Sequence, residues 1–250
     1  MTERLLYWEA RDTVERPARV TTGELMDDPH RSDQELRETL RDLAWINRWF
    51  GGRAFVRAYL DRVLPAWQAR RAGQAPLALL DVATGGADIP VAAVEWGRSR
   101  GLPVRVVAVD RHPATARVAR ELVVAYPAIS VVRADARALP FRDQSFDVCL
   151  CTLALHHLDP DDGLGLIRRL HRLARTGFLV VDLLRTRRAY AGVWLLTRLA
   201  RSRLVRHDGP LSVRRALSWG EYRQLAAAAG VPGIRVVPLP PFRVALERIG

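Results

Sequence analysis

Leu79-Leu80-Asp81-Val82-Ala83-Thr84-Gly85-Gly86-Ala87-Asp88 reads as a strand that runs into a helix through a turn of small residues. The apolar run ends in an acid, and the helix opens at Asp88 with Pro90 in its first turn. Small residues let a ligand approach the backbone, and the free N–H groups of a helix N-terminus attract a carboxylate. A structural strand-to-helix turn would look similar, so the neighbouring segments decide its meaning.

Working outward, short apolar runs alternate with helical ones. Strands are expected at Leu77 to Val82, Val104 to Val109, Ile129 to Val132, Phe146 to Cys151 and Gly177 to Leu183, with helices starting near Asp88, Pro113 and Asp161. Continuous apolar strands between helices are what a parallel sheet covered on both faces requires. A helix from Ser218 to Ala229 and two late strands, near Ile234 to Val237 and Phe242 to Leu246, follow. The expectation is a doubly wound α/β fold with a mostly parallel seven-stranded sheet.

Three successive strands end in acids. Asp81 closes the first, Asp110 closes Val107-Ala108-Val109-Asp110, and Asp135 follows the third beside Ala136. Ligands of open parallel sheets bind at these carboxyl ends, where an acid after the second strand can accept both hydroxyls of a ribose. Asp110 could instead cap the helix after Arg111-His112-Pro113. The first turn lacks the Gly-x-Gly-x-x-Gly of a dinucleotide-binding dehydrogenase.

Together with Leu139-Pro140-Phe141 and Ser145-Phe146-Asp147, these motifs resemble class I S-adenosylmethionine-dependent methyltransferases over about residues 77 to 183. The likeness is nearest to the small-molecule branch around the ubiquinone and menaquinone (UbiE-type) C-methyltransferases. It implies S-adenosylmethionine as cofactor and the Rossmann-like methyltransferase fold. It also implies that Asp81 orders the turn near the methionine amino group, with Ala83 and Gly85 giving backbone contact. Asp110 would bind the ribose hydroxyls, Asp135 the adenine amino group with Ala136 beside the ring, and Thr152 and Leu153 would border the sulfonium. Thr84, Asp88 and Arg111 complete the expected cofactor-binding set. Where the family has Gly-x-Gly-x-Gly, this chain has Ala83-x-Gly85-x-Ala87, keeping only the middle glycine.

After the fourth strand the chain reads Cys151-Thr152-Leu153-Ala154-Leu155-His156-His157-Leu158. It has neither the Asn/Asp-Pro-Pro-aromatic motif of base N-methylation nor the Pro-Cys nucleophile of the cytosine-C5 type. Base methylation is therefore disfavoured. His156 and His157 lie just past the fourth strand, beside where the resemblance puts the sulfonium, and are the candidate catalytic residues, since an imidazole can take a proton from a phenol or an acidic carbon. A capping or packing role for the pair is the alternative. No metal ligand set was recognised.

The net charge is +12, and all 39 basic residues are Arg. Residues 168–223 hold 14 Arg against Asp182, Asp208 and Glu221, so nearly all of the charge belongs to that segment. Such a balance suggests nucleic acid when spread over a whole domain. Confined here, it more simply solubilises an apolar cover. Nucleic acid is not the expected partner. An RNA-directed methyltransferase and a non-catalytic cofactor-binding module remain the competing readings. Cys149 and Cys151 are expected as buried thiols on one face of a strand. The segment from Met1 to Ala10 shows no secretory pattern, and the expected location is cytoplasmic.

The substrate side must come from outside the motifs. Residues 1–75 are expected to form an N-terminal helical cap on a domain spanning 76–250. Ser32 and Glu35 make a capping box before Leu36, Leu40, Leu43, Ile46 and Phe50, and a second helix runs from about Arg53 to Arg71. Tyr7, Trp8, Trp45, Trp49, Phe50 and Phe55 favour a hydrophobic small-molecule substrate. A lid insertion at about 185–215 is expected as one amphipathic helix over Tyr190 to Leu204, then a turn at His207-Asp208-Gly209-Pro210. That helix suits a lid packed on the core, or a peripheral membrane contact. Arg206 to Arg215 resembles a stretch of methyltransferases encoded beside type III polyketide synthases. The resulting expectation is methyl transfer to oxygen or carbon of a phenolic, quinone or polyketide-like compound.

Overall fold

The computed structural model describes residues 17–28, 30–70 and 75–250. β1 (Leu77–Val82), β2 (Val104–Asp110), β3 (Ile129–Arg133), β4 (Phe146–Thr152) and β5 (Ala174–Leu183) are parallel. β7 (Arg243–Ile249) runs antiparallel to β5, and β6 (Arg235–Leu239) antiparallel to β7. The order is β3-β2-β1-β4-β5-β7-β6, the expected seven-stranded doubly wound sheet. Val82 is level with Val109 on one side and Cys151 on the other. The turns after β1, β2 and β4 therefore open at one edge, where the chain switches direction across the sheet.

Helices cover both faces. α3 (Asp88–Arg98) and α4 (Pro113–Leu122) follow β1 and β2, while α5 (Pro160–Leu173) and α8 (Trp219–Ala229) pack together on the other side. Cys149 and Cys151 share one buried cluster with Leu166, Ile167, Leu170 and Tyr222. Burial pushes both thiols up.

The N-terminal helices have separate roles. α1 (Asp33–Trp49) has the expected capping box, with Glu35 N–H donating to Ser32 Oγ at 3.3 Å. α2 (Gly52–Arg70) is not a cap. Val56, Tyr59, Leu60, Val63 and Trp67 belong to the main core cluster with β1 and α3, and the Tyr59 hydroxyl donates to Arg248 O at 2.6 Å. The expected cap over 1–75 therefore divides at Gly51-Gly52. Tyr7, Trp8, Arg71 and Gly73-Gln74 lie outside the described residues.

The insertion also differs from expectation. α6 (Arg187–Thr197) stops early, and α7 (Arg203–Arg215) runs straight through His207-Asp208-Gly209-Pro210. Ser202 causes the break. Its N–H donates to Asp42 Oδ2 at 2.7 Å, and its hydroxyl caps α7 by accepting Leu204 N–H. Tertiary contacts override turn propensity inside α7. A Cβ on Gly209 would lie 2.5 Å from Thr197, so glycine is what lets α6 and α7 close together. Asp208 also uses both carboxylate oxygens on Leu25 and Met26 N–H, each at 2.9 Å.

Much of the Arg segment is internal fastening. Arg185 binds Ala216 O, Pro17 O and Glu221, and Arg215 binds His156 O, His157 O and Thr22 O. Both are buried. No helix among the described residues is long and apolar enough to cross a membrane.

Candidate active site

A cavity of about 420 Å³ opens at the carboxyl edge of the sheet. Ala83, Thr84, Gly85, Asp88, Asp110, Arg111, Asp135, Ala136, Thr152, Leu153, His156 and His157 all line it. Asp81 is the exception among the expected site residues; it lies buried beneath the turn.

The β1 turn is built around Asp81. Its Oδ2 accepts the Thr84 hydroxyl at 2.6 Å, and its buried Oδ1 has no partner. Burial, with help from Asp88 and Asp110, pushes this carboxyl up to about 7. Ala83 and Ala87 sit at φ 57° and 58°, in the left-handed region glycine adopts without cost. Leu153 at the β4 end has φ 54°. The turn keeps a glycine-type shape although alanine fills two of its three positions.

Asp110 accepts Gly85 N–H at 3.0 Å and His112 N–H at 2.9 Å, tying the first turn to the second. Burial raises its carboxyl above the ordinary value. Asp135 accepts from Arg137, whose Nη2 is 2.6 Å away, and this pairing lowers it. Asp88 receives Arg53 Nε at 3.3 Å and Asn47 Nδ2 at 3.4 Å, so it fastens α1 and α2 to the start of α3. Arg243 is buried nearby, donating to Asn47 Oδ1 at 3.2 Å, and desolvation depresses its guanidinium to about 10.

His156 and His157 occupy a one-turn helix at Leu155–His157. The His156 N–H and Nδ1 both meet Asp182 at the end of β5, at 2.9 and 2.6 Å. Burial alone would lower this imidazole, but the Asp182 and Glu24 carboxylates outweigh it and hold it up at about 10. His157 lies 3.5 Å from Glu24 and 3.3 Å from Asp27, and its side chain is partly exposed to the cavity. Burial would raise Asp27, yet His157 and Arg111 pull it down to about 2.

Glu24, Asp27 and Asp182 escaped sequence reasoning. Asp182 carried the available signal, an acid ending an apolar strand. Glu24 and Asp27 flank and end a one-turn helix at Leu25–Asp27 that no periodicity in the sequence signals, and only tertiary structure brings them to the cavity. Met26, Leu40, Leu43, Ile46 and Phe50 form one apolar wall, and Val193, Leu196, Leu204 and Phe242 another. Trp45 and Trp49 instead face solvent, and Phe55 packs on the core.

Residues 80–181, from β1 to β5, match a family described as a methyltransferase domain. Over those residues the chain is similar to a methyltransferase domain. No curated protein sequence matches the chain. Among solved structures, the fold is similar to human N-acetylserotonin methyltransferase in complex with SAM, with TM-score 0.61 and 15% identity over 88% of this chain and 57% of that one. The citrinin polyketide synthase CMeT domain gives TM-score 0.54 and 14% identity over 72% and 48%. Magnesium protoporphyrin IX methyltransferase from Synechocystis PCC 6803 with bound SAH gives 0.50 and 14% over 80% and 84%. The chain spans about half the length of the first two. At these identities the likeness is one of fold. The matched residues account for β1 to β5, while α1 and the α6–α7 pair supply the apolar walls.

Proposed function

We propose that this chain transfers a methyl group from S-adenosylmethionine to oxygen or carbon of a hydrophobic small molecule, of phenolic, quinone or polyketide-like class. One observation carries the reading. A single cavity joins the acid-bearing turns of the methyltransferase domain to two apolar walls and to the Glu24, His156 and His157 cluster.

The residues fit the cofactor. The unpartnered Asp81 Oδ1 lies under the turn where an ammonium would be drawn, and Asp110 keeps lone pairs for ribose hydroxyls after accepting two N–H groups. Asp135 with Ala136 would receive the adenine, and Arg243 offers a buried positive charge to the methionine carboxylate. Bound there, the cofactor supplies an electrophilic methyl on a sulfonium. The protein's task is then to align the acceptor, exclude water and manage its proton. Thr152 and Leu153 border the methyl position, and the α1 and α6–α7 walls close over it. His157, facing the cavity, is the residue we place beside the acceptor. His156, fixed by Asp182, positions it.

Calorimetry with S-adenosylhomocysteine tests the cofactor half of this reading. Micromolar binding that Asp110→Ala weakens at least tenfold is expected. No binding at high micromolar ligand would refute it.

A further inference from the structure

Glu24, His156 and His157 present one oxygen and two nitrogens, all within 4.8 Å of one another. Glu24 Oε1 is 3.5 Å from His156 Nε2, and Glu24 Oε2 is 3.5 Å from His157 Nε2. These contacts are longer than ordinary hydrogen bonds. Each is near the roughly 3.4 Å that separates two donors on a metal with bonds of about 2.1 Å, although the two histidines face different oxygens of Glu24.

The outer contact of His156 has the matching form. A histidine that binds metal through Nε2 turns its Nδ1–H to a carboxylate, which fixes the tautomer and raises its basicity. His156 Nδ1 lies 2.6 Å from Asp182 Oδ1, whereas His157 Nδ1 lies 3.3 Å from Asp27 Oδ2 without hydrogen-bond geometry. The Ser212 hydroxyl donates to Glu24 Oε1 at 2.7 Å and holds it in place. Asp208 pins the segment that carries Glu24 through Leu25 and Met26 N–H. Arg215 at 3.9 Å from Glu24, and Arg111 at 3.3 Å from Asp27, oppose a cation. Four carboxylates, Glu24, Asp27, Asp182 and Asp208, outnumber them.

We propose that Glu24, His156 and His157 form a binding site for one divalent transition metal, zinc by the character of the donors, with the fourth position open to the cavity. All three residues line that cavity, so the open position faces the place assigned to the acceptor. Resting on the methyl-transfer reading, the metal would take an acceptor hydroxyl oxygen. The O–H proton passes to solvent, the oxygen forms the bond to the methyl carbon, and the sulfur–carbon pair returns to sulfur as a neutral thioether.

The full chain, stripped with chelator and desalted, is titrated with Co²⁺ while visible d–d absorption is recorded, and with Zn²⁺ by calorimetry. One metal per chain is expected, with tetrahedral-type bands. Glu24→Gln and His157→Ala should abolish the bands, and Asp182→Asn should weaken binding at least tenfold. S-adenosylhomocysteine binding by each variant reports that the fold persists. No saturable binding by the wild type, or equal binding by Glu24→Gln and His157→Ala, would overturn the site. Metal binding without S-adenosylhomocysteine binding would support the site and sink the methyl-transfer reading instead.

Discussion

Asp182 grips His156 twice, accepting its backbone N–H at 2.9 Å and its Nδ1 at 2.6 Å, and so fixes the turn after β4 to the end of β5. Both side chains are buried. Removing one member of a buried charged pair strands the other. Asp182→Asn should therefore cost about 3 kcal/mol in urea unfolding. Adding His156→Gln should cost less than the sum of the single changes, because the stranded imidazole is gone. Additive losses would mean that the two residues do not act as a pair.

The alanines of the first turn predict an unusual gain. A left-handed alanine is disfavoured by roughly 1–2 kcal/mol, while glycine loses part of that advantage through a freer unfolded chain. Ala83→Gly should stabilise the protein by about 0.5 kcal/mol. Gly85→Ala should destabilise it by about 1 kcal/mol, although the added Cβ would only touch Leu40 at 3.6 Å. Thermal denaturation of both variants checks the pair. A loss on Ala83→Gly would contradict the strained turn.

Asp81 makes stability depend on pH. Its folded value of about 7 lies above the ordinary 3.8, so between those limits the folded chain holds a proton the unfolded chain releases. Stability should fall as pH rises through this window and then level off. Asp81→Asn should remove that decline, melting above the wild type at pH 8 relative to pH 4, while binding S-adenosylhomocysteine more weakly. Parallel melting curves over the window would contradict it.

The backbone order of the sheet was legible because each strand is a mostly apolar run, with an acid next to the end of β1 and at the end of β2. Asp110 and Asp135 were found by the same rule that could have found Asp182. The helical cover was less legible. Gly209-Pro210 signals a turn in isolation, but contacts of Gly209 with Thr197 and of Asp208 with the chain near Leu25 hold it as helix. α2 looked like a cap because its amphipathic pattern does not say which surface it meets. Glu24 carries no local signal, since its partners His156, His157 and Ser212 are distant in sequence.

Trp45, Trp49, Trp194, Leu195 and Leu199 are exposed on the two elements that form the walls, with Arg48 stacked by Trp49 and Arg198 by Trp194. Apolar side chains ringed by Arg suit an anionic bilayer surface. Flotation with phosphatidylglycerol vesicles should recover the wild type, and Trp49→Ser with Leu195→Ser should reduce recovery. Equal recovery of both forms would show that these side chains do not hold the protein on the bilayer.

The most direct measurement follows the methyl group itself. The protein is incubated with methyl-labelled S-adenosylmethionine and, separately, with total RNA or with organic-extractable metabolites. Label in the organic-extractable fraction, lost on Asp110→Ala, is the predicted result; label found only in RNA would contradict the account.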